Sequence, residues 1–466
     1  MPDEGVTVSL VAHGVAVMGG RRWRRKRLTA TGALGDKTPA PYAPTMARIV
    51  FTTLGSWGDL FPLVALGKRL ASRGHQVSFA ATPAFASLVE DEGLGFAPIG
   101  IELGLEQYAA HPEILDSRQN GLAGIRNLMR VFILPHLARV FRDLERATAG
   151  ADLLVTHPAQ LAAPMVAEAH GLRWATATLF PANIPSAHTV PQGNPLPALG
   201  GPLGRALNGL TWRFSRLVLR SLFDAPLNAV RKECGLPAGR DVFLLSGLSP
   251  HLCLVLCSPH YTPRQPDWPA SIDVTGFVPW DEPRSAPMPA ALQSFLTSGA
   301  PPVVFTLGAS LAIDPQRFFT IAGEALATVG ARGVFLVGRE ANVAGLERDN
   351  VAVVPFAPLS AVLRHAAAIV HHGGFGTTAT ALRGALPALV IPRAFDQLYH
   401  GQRVAELGAG RMLPWRKLDA RRLSAELERI LRDGAYRTRA AALAAQLAGE
   451  DGIGSAVARL EGVLAR

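Results

Sequence analysis

Cysteine is scarce in this chain: only Cys234, Cys253 and Cys257 occur among its 466 residues. An odd number of cysteines without a C-x-x-C pair argues against a disulfide framework and fits a reducing compartment. Cys253 and Cys257 lie in the apolar segment LCLVLC. We therefore interpret them as buried thiols in a strand and not as paired metal ligands, and we predict no metal site.

A long hydrophobic run is also absent, because no segment has the roughly 20 continuous apolar residues of a membrane-spanning helix. Residues 6–18 are apolar, but basic residues follow them, which reverses the order of a secretory signal. We expect a cytoplasmic protein that can make peripheral contact with the inner face of a membrane. Residues 1–45 lack a periodic pattern, and we interpret them as a disordered extension or as sequence ahead of a natural start at Met46.

Aromatic residues (7%) are few, and 36 acidic residues are outnumbered by 46 lysines and arginines. Part of the net charge of +10 is concentrated in the run RRWRRKR at residues 21–27. No zinc-finger spacing or aromatic RNA-binding motif accompanies this run, so we interpret it as solvated and expect no nucleic-acid partner. Because 48% of this long chain is hydrophobic, we expect two or three domains with sizeable cores.

Strand and helix patterns alternate from Arg48 onward. RIVFTTL and QVSFAAT are predicted buried strands, and PLVALGKRLASRG between them has apolar residues at helical spacing. The alternation returns in ADLLVTH, a predicted helix over residues 159–170, and WATATL. Strand, helix and strand at this spacing predict a parallel sheet with right-handed crossovers, which is a Rossmann-like unit.

A Pro-rich stretch at residues 279–302 separates this unit from a second one. Beyond it, PVVFTLG, GVFLVG, VAVVPF, AAIVHHG and PALVIP are predicted strands, with helical patterns between most of them. We therefore predict an α/β protein with two Rossmann-like, doubly wound domains that face each other across a cleft. The predicted divisions are residues 46–280 for the first domain, 281–300 for a linker, 301–440 for the second domain and 441–466 for a C-terminal helix that packs back on the first domain.

An amphipathic helix is predicted for residues 204–223 (GRALNGLTWRFSRLVLRSLF). Leucines and Phe214 form an apolar stripe, and four arginines flank it. Two interpretations stay open at this point. The segment is an ordinary surface helix packed on the core, or its stripe contacts lipid at a membrane surface.

The strongest local motif is HHGGFGTT at residues 371–378. It lies between the predicted strand AAIV and a predicted helix, where backbone amides and the helix dipole favour a phosphate group. The glycines let a ligand approach the backbone, and histidine and threonine add hydrogen-bond donors. A glycine-rich turn alone is weak evidence, but this one is followed by PALVIPRAFDQ.

The segment HHGGFGTTATALRGALPALVIPRAFDQ resembles the donor-binding signature of the family 1 GT-B glycosyltransferases, which join sugars from UDP- or dTDP-sugars to small acceptors. The resemblance extends over residues 48–445, most of the chain. GSWGDLFPLVALGKRL is similar to the bacterial and fungal branch that includes sterol and antibiotic glycosyltransferases. LNAVRKECGL, QPDWP and PVVFT are similar to the rhamnosyltransferase B chains of rhamnolipid synthesis, which supports kinship more than substrate.

This resemblance implies a set of donor-binding residues. His372 corresponds to the histidine that contacts the diphosphate. Asp396 and Gln397 correspond to the pair that holds the sugar hydroxyls, and Phe356 to the aromatic residue that stacks on the pyrimidine. Further contacts to the phosphates are implied for Gly308, Ser310, Gly374, Gly376, Thr377 and Thr378.

Two positions depart from the family pattern. Ala309 interrupts the usual Gly-Ser turn before Ser310, and Thr380 stands where many members carry a glutamate that binds the ribose hydroxyls. The choice between UDP and dTDP therefore stays open. The chain contains no D-x-D motif, so we expect a metal-independent enzyme without a cofactor, in which a helix N-terminus replaces the cation.

Asp59 follows the first predicted strand in the turn GSWGDLFP and has two interpretations. It is a helix N-cap, or, as the resemblance implies for the branch with G-x-x-G-D-x-x-P, it is the general base that deprotonates the acceptor hydroxyl. Direct attack on the anomeric carbon would then invert its configuration. The candidate acceptor-binding residues in the N-terminal half are Trp57, Asn183, Ser186, His188 and Trp212.

The sequence thus predicts an inverting hexosyltransferase that uses a UDP- or dTDP-sugar and a lipid-like or natural-product acceptor. Two other functions stay open. An epimerase on the same fold would isomerise a UDP-sugar without an acceptor, although its usual acid–base residues are not evident. A non-catalytic nucleotide- or lipid-binding protein would not need Asp59, His372 and Asp396.

Overall fold

A computed structural model describes residues 46–54, 56–100, 122–192, 194, 197–279, 288–308, 314–338, 343–393 and 396–466. The predicted extension at residues 1–45, the first part of the predicted linker and Ser310 lie outside these residues. The described strands form two sheets in which every ladder is parallel. The prediction of two doubly wound α/β units is confirmed, whereas the exact domain boundaries stay a prediction.

The first sheet has seven strands in the order β3-β2-β1-β4-β5-β6-β7. The order reverses between β1 and β4, and in open α/β sheets such a switch point leaves a crevice at the carboxyl ends of the strands. Strands β4 and β5 are buried at every residue, as expected for central strands of a parallel sheet. The strands are β1 (Arg48–Thr52), β2 (Gln76–Ala81), β3 (Gly95–Pro98), β4 (Leu153–Thr156), β5 (Trp174–Thr178), β6 (Leu252–Val255) and β7 (Ile272–Val274).

Helices cover this sheet on both faces. Among the described residues, no helix combines the length and apolarity needed to span a bilayer. A 3-10 turn at Pro83–Phe85 precedes the second helix, and a π-helical turn at Met129–Ile133 joins the third and fourth. The helices are α1 (Trp57–Ser72), α2 (Ala86–Asp91), α3 (Leu122–Leu128), α4 (Leu134–Ala147), α5 (Ala162–His170) and α6 (Gly201–Glu233).

The second sheet has six strands in the order β10-β9-β8-β11-β12-β13, with its switch point between β8 and β11. A 3-10 turn at Trp415–Lys417 follows the last strand. The strands are β8 (Val303–Thr306), β9 (Gly333–Leu336), β10 (Val351–Val354), β11 (Ala368–His371), β12 (Ala388–Val390) and β13 (Gly410–Met412). The helices are α7 (Ala290–Thr297), α8 (Pro315–Val329), α9 (Leu359–Leu363), α10 (Phe375–Arg383), α11 (Gln397–Glu406), α12 (Ala420–Arg432), α13 (Gly434–Leu447) and α14 (Gly452–Leu464).

Buried contacts join the two halves beside the carboxyl edges of both sheets. The Tyr261 hydroxyl, beyond β6, is hydrogen-bonded to His400 Nδ1 on α11 at 3.0 Å. The rings of Phe277 and Phe375 lie 5.7 Å apart. Since Phe375 opens α10, these contacts bring the start of that helix next to the first half.

The last helix, α14, lies against the first half although it follows the second sheet in the chain. Arg73 Nε donates to Glu461 Oε1 at 2.6 Å. Arg173 Nη1 donates to the carbonyl oxygens of Val463 and Leu464 at 3.2 and 3.0 Å. Three carbonyl and carboxylate groups near the C-terminus are therefore held by arginines of the first half.

Cysteine placement agrees with the interpretation made from the sequence. Cys253 lies within β6, Cys257 follows that strand, and both thiols are free and fully buried. Burial raises the pKa of Cys253 to about 12, so its thiol stays protonated and unreactive at neutral pH.

Candidate active site

Asp59 is the third residue of α1, and Ser56 is the N-cap of that helix. The Ser56 N–H donates to Asp59 Oδ2 at 2.6 Å, and Ser56 Oγ lies 3.2 Å from the same oxygen. The interpretation of Asp59 as the N-cap is therefore wrong, because the helix begins one turn earlier than the pattern around Pro62 suggested. Asp59 instead closes a capping box, and this fixes its carboxylate at the end of β1.

The other carboxylate oxygen of Asp59 faces a histidine that the sequence analysis did not single out. His157 Nε2 lies 3.7 Å from Asp59 Oδ1. His157 is buried, its Nδ1 accepts from the Ala159 N–H at 3.3 Å, and its Nε2 has no hydrogen-bond partner among the described residues. Since β1 and β4 are neighbours, the residues after these two strands meet at the switch point, and that was the available signal for His157.

The surroundings of Asp59 shift its protonation equilibrium. Burial raises the pKa of Asp59 above its ordinary value of 3.8, and the Asp396 carboxylate raises it further. His157 and the hydrogen bonds from Ser56 lower this pKa and offset part of the rise. The influence of Asp396, which lies beyond β12, shows that the structure brings the predicted base and the predicted sugar-binding aspartate together.

His372 follows β11 and lies between two glycines. A β-carbon on Gly308 or Gly374 would come closer than 3.0 Å to the His372 ring, and Gly308 has a φ of +70°. Burial lowers the pKa of His372 to about 4, and Asp396 and His400 act on it in opposite directions. The imidazole is therefore neutral at pH 7, and its Nδ1 is buried without a partner among the described residues.

The neighbouring His371 has a structural position. Its ring is fully buried, its Nδ1 accepts from the Gly373 N–H at 3.1 Å, and burial lowers its pKa well below the ordinary value. Of the two adjacent histidines, His372 is thus the one beside the glycine turns that precede α8 and α10.

Helix α10 begins at Phe375 with Gly374 as its N-cap. The first N–H groups of a helix have no partner within it, so the amides of Gly376 and Thr377 are placed where the sequence predicted phosphate donors. Thr378 is buried, and its hydroxyl donates to the Gly374 carbonyl at 2.9 Å. That hydroxyl is engaged inside the helix, which differs from the ligand contact implied for it.

Asp396 immediately precedes α11, where its Oδ2 lies 3.4 Å from His400 Nε2. The Gln397 side-chain oxygen accepts from the Arg393 N–H at 2.9 Å. Gln397 thereby holds the loop that carries Asp396. His400, also missed in the sequence, is completely buried and connects Asp396 to Tyr261 of the first half.

Phe356 lies at the carboxyl end of β10, on the same edge of the second sheet as His372, and is half-buried. The preceding Pro355 lines an open cavity of about 370 Å³ together with Val337 and Gly338. Phe356 is not among the residues that line this cavity, and its stacking role stays a prediction.

Four of the five candidate acceptor residues divide into two groups. Ser186 is buried, its hydroxyl donates to Asp267 Oδ1 at 2.7 Å, and it accepts from the His188 N–H at 3.0 Å. Trp212 is also buried, and its indole donates to the Thr189 carbonyl at 3.0 Å. Ser186 and Trp212 therefore hold the loop in place, so their polar atoms are unavailable to an acceptor, contrary to expectation.

Trp57 and Asn183, in contrast, each have a ring face or polar atom that is not engaged in holding the loop. The Trp57 ring packs edge-on against Phe85 with centroids 4.7 Å apart, and it remains partly exposed at the start of α1. Asn183 Oδ1 is buried without a hydrogen-bond partner among the described residues. A buried amide oxygen without a partner is uncommon and indicates a site for a ligand or water.

Two doubly wound parallel sheets in one chain are the architecture of the GT-B class of glycosyltransferases. Solved members share the architecture: the glycosyltransferase VinC in complex with dTDP matches with a TM-score of 0.65 at 21% identity, over 90% of this chain and 100% of that one. In the residues that the structure covers, no group of three or more histidine, cysteine or acidic side chains is arranged to hold a metal ion.

Sequence comparison gives the family. Residues 49–181 match the glycosyltransferase family 28 N-terminal domain, and residues 334–461 match the erythromycin biosynthesis protein CIII-like C-terminal domain. An O-mycaminosyltylonolide 6-deoxyallosyltransferase of Streptomyces fradiae is 33% identical over 423 residues, 89% of this chain and 97% of that protein. A sterol 3-beta-glucosyltransferase of Arabidopsis thaliana is 29% identical over 441 residues, 91% of this chain and 66% of that protein. The chain belongs to this family of glycosyltransferases.

Proposed function

We propose that this enzyme transfers a hexose from a UDP- or dTDP-sugar to a hydroxyl of a hydrophobic acceptor, with inversion and without a metal ion. The observation that carries the proposal is the buried hydrogen bond of Tyr261 in the first half with His400, which lies 3.4 Å from Asp396 in the second. The charge of Asp396 also acts on the pKa of both Asp59 and His372. The dTDP bound to VinC supports the donor class. The names of the Streptomyces and Arabidopsis relatives support a macrolide- or sterol-like acceptor.

Asp59 acts as the general base. The acceptor oxygen attacks the anomeric carbon while its proton moves to Asp59, and the bond from that carbon to the diphosphate breaks with its electron pair leaving on the phosphate oxygen. A carboxylate with a raised pKa is a stronger base than an ordinary aspartate. Because the base and the diphosphate site belong to opposite sheets, a single displacement from the face away from the leaving group inverts the sugar.

The leaving diphosphate is stabilised at the N-terminus of α10. The amides of Gly376 and Thr377 and the partial positive charge of the helix end meet the negative charge that develops there. Neutral His372 adds one N–H donor without adding a positive charge. These groups replace a divalent cation, which supports metal independence.

Hydrophobic acceptors are supplied, in this proposal, from a membrane surface with which the enzyme makes peripheral contact. The loop with Asn183 and His188 lies between β5 and α6, and α6 carries an exposed apolar stripe. An acceptor held at such a surface would reach the Asp59 end of the first sheet without crossing bulk water.

Asp59→Asn tests the base. Asn can still accept from the Ser56 N–H, so we expect the fold and dTDP binding to persist while transfer falls by about 10²–10⁴-fold. Thermal shift with dTDP and UDP, and product formation from a panel of dTDP- and UDP-sugars with macrolide and sterol acceptors, measure the two properties. Asp273→Asn, at an exposed ion pair with Arg459, is the matched control and should transfer normally.

Wild-type activity of the Asp59→Asn variant would overturn the assignment of the base. The absence of any stabilisation by dTDP or UDP would overturn the donor site, and an isomerised sugar formed without acceptor would favour an epimerase. Product NMR should show inverted anomeric configuration, and EDTA should leave the rate unchanged. A requirement for added Mg²⁺ would contradict metal independence.

A further inference from the structure

Exposed apolar side chains are concentrated on one helix. Eight large hydrophobic residues are exposed in the part of the chain that the structure describes, and six of them lie in or directly before the first half of α6. Their exposed fractions lie between 42% and 75%. These six are Leu199, Leu203, Leu207, Leu210, Phe214 and Leu217.

Five of these residues form a narrow line along the helix. Their spacing of 4, 3, 4 and 3 residues keeps them within an arc of about 80° at 3.6 residues per turn. We call this line the apolar stripe of α6. In a soluble protein a contiguous apolar surface of this kind marks an interaction site.

The opposite face of the same helix is firmly packed. Asn208 is buried and donates to the Ala187 and Leu199 carbonyls at 2.9 Å, while its oxygen accepts from the Leu199 N–H at 3.0 Å. Trp212 is bonded to Thr189 in the same loop. The orientation of α6 is therefore fixed, and its stripe points away from the protein.

The charges beside the stripe have one sign. Residues 199–223 contain four arginines and no acidic residue. Arg216 pairs with Asp241 at 2.7 Å. Arg205 and Arg213 are exposed and form no ion pair with any residue that the structure describes.

We propose that the first half of α6 docks on an anionic phospholipid surface. The apolar stripe would enter the boundary between headgroups and acyl chains. Arg213, about 80° from the middle of the stripe, would contact lipid phosphates, and Arg205, about 160° from it, would add attraction at longer range. This deepens the peripheral contact of the proposed function by naming its surface and its partner. Because Asn208 and Trp212 bond the loop that leads to His188, docking would hold the acceptor side of the enzyme at the membrane.

A second copy of the chain is the main competing occupant. The 4-3-4-3 spacing is also that of a helix-pairing seam. Pairing two such helices would, however, bring together Arg205 and Arg213 of both copies, which have no acidic partner among the described residues, whereas Arg216 is paired with Asp241. The single sign of the charge therefore favours a lipid surface over a dimer.

Vesicle flotation with the full chain tests this inference. We expect binding to phosphatidylcholine vesicles that contain 30% phosphatidylglycerol, weak binding to pure phosphatidylcholine, and loss of binding at high salt because charge attraction is screened. The triple variant Leu210→Ser, Phe214→Ser, Leu217→Ser and the double variant Arg205→Glu, Arg213→Glu should each reduce the bound fraction at least tenfold.

Arg383→Glu, Arg421→Glu is the charge-matched control, since both side chains are exposed on helices of the second half. It should bind vesicles like the wild type. Circular dichroism melting and dTDP thermal shift confirm that each variant is folded. Asp59→Asn should still bind vesicles normally, so a failure of the catalytic proposal can be distinguished from a failure of the membrane proposal.

Failure of the wild type to bind either vesicle would overturn the inference. A tenfold loss of binding in the charge-matched control would also overturn it, since the effect would then follow net charge alone. A concentration-dependent dimer in sedimentation velocity, abolished by the triple variant, would assign the stripe to a second copy instead.

Discussion

At the scale of single residues, the proposed chemistry depends on the polar groups around the Asp59 carboxylate. Ser56 occupies one oxygen, and His157 faces the other at 3.7 Å. This separation is longer than a hydrogen bond and leaves room for the carboxylate or ring to adjust when an acceptor hydroxyl arrives. His157 acts through Asp59 and is therefore a positioning residue.

His157→Ala should move the acid limb of the kcat/KM profile to higher pH. His157 lowers the pKa of Asp59, so its removal raises that pKa, and the ionised base is then lost at a higher pH as the solution is acidified. We expect kcat at the optimum to fall about tenfold. The profile between about pH 4 and pH 9 measures both effects, because kcat/KM reports the free enzyme.

His170→Ala provides the comparison for that profile, since His170 is exposed and paired with Glu145 on the surface. It should leave the acid limb in place. If His157→Ala only lowered thermal stability and kept the wild-type limb, His157 would have a purely structural role.

Sequence reasoning singled out the proposed donor residues but not the histidines beside the two aspartates. His372, Gly374 and Asp396 lie in one continuous motif, so their roles follow from local pattern. His157 and His400 approach their aspartates only through strand order and helix spacing in three dimensions. The hydrogen bond from the Ser186 hydroxyl to Asp267 could not be predicted from the sequence either, because the two residues are far apart in the chain.

At the scale of structural elements, the glycine turns after β8 and before α10 shape the proposed donor site. The His372 ring lies where a β-carbon on either Gly308 or Gly374 would collide with it, so glycine is needed at both positions for this ring orientation. Thus the two turns and the ring act as one unit at the switch point between β8 and β11.

Gly308→Ala should weaken dTDP binding by at least tenfold while the protein remains folded. The new methyl group would displace His372, and the φ of +70° is strained for alanine. Isothermal titration with dTDP measures the change. Gly462→Ala on α14, where no atom lies within 4 Å of the added carbon, should bind dTDP like the wild type. Equal affinities of the two variants would contradict a role of the glycine turns in placing His372.

Periodicity predicted helices within α1, α5 and α6 but not α3 or α4, and its errors have physical causes. The strand pairs around both switch points were expected where they are found. Strands β7 and β13 have three residues each, too few to show a period of two. Helix α1 begins at Trp57, so Pro62 lies inside it, because Ser56 and Asp59 cap the chain earlier than the proline indicated.

At the scale of the whole molecule, a buried polar contact couples the two halves. Tyr261 and His400 are both fully buried, and their hydrogen bond crosses between the halves near Asp396. How the halves meet was beyond sequence reasoning, because each periodic pattern describes its own sheet and no motif specifies the contact between them.

Replacement of Tyr261 by Phe should lower the free energy of unfolding by about 1–3 kcal/mol, since His400 Nδ1 would remain buried without its partner. Urea denaturation followed by tryptophan fluorescence measures the loss. Tyr436→Phe, which removes a hydroxyl bonded to Arg411 within the second half, should cost less. Equal losses in the two variants would argue against a special contribution of the contact between the halves.

The return of α14 to the first half has a practical consequence for protein engineering. A hybrid that took its acceptor half from one relative and its donor half from another would have to be cut twice, once between the sheets and once before Gly452. With a single cut, Arg73 and Arg173 would face a foreign carboxyl-terminal helix. Domain exchange in this enzyme is therefore a matter of three segments and not of two.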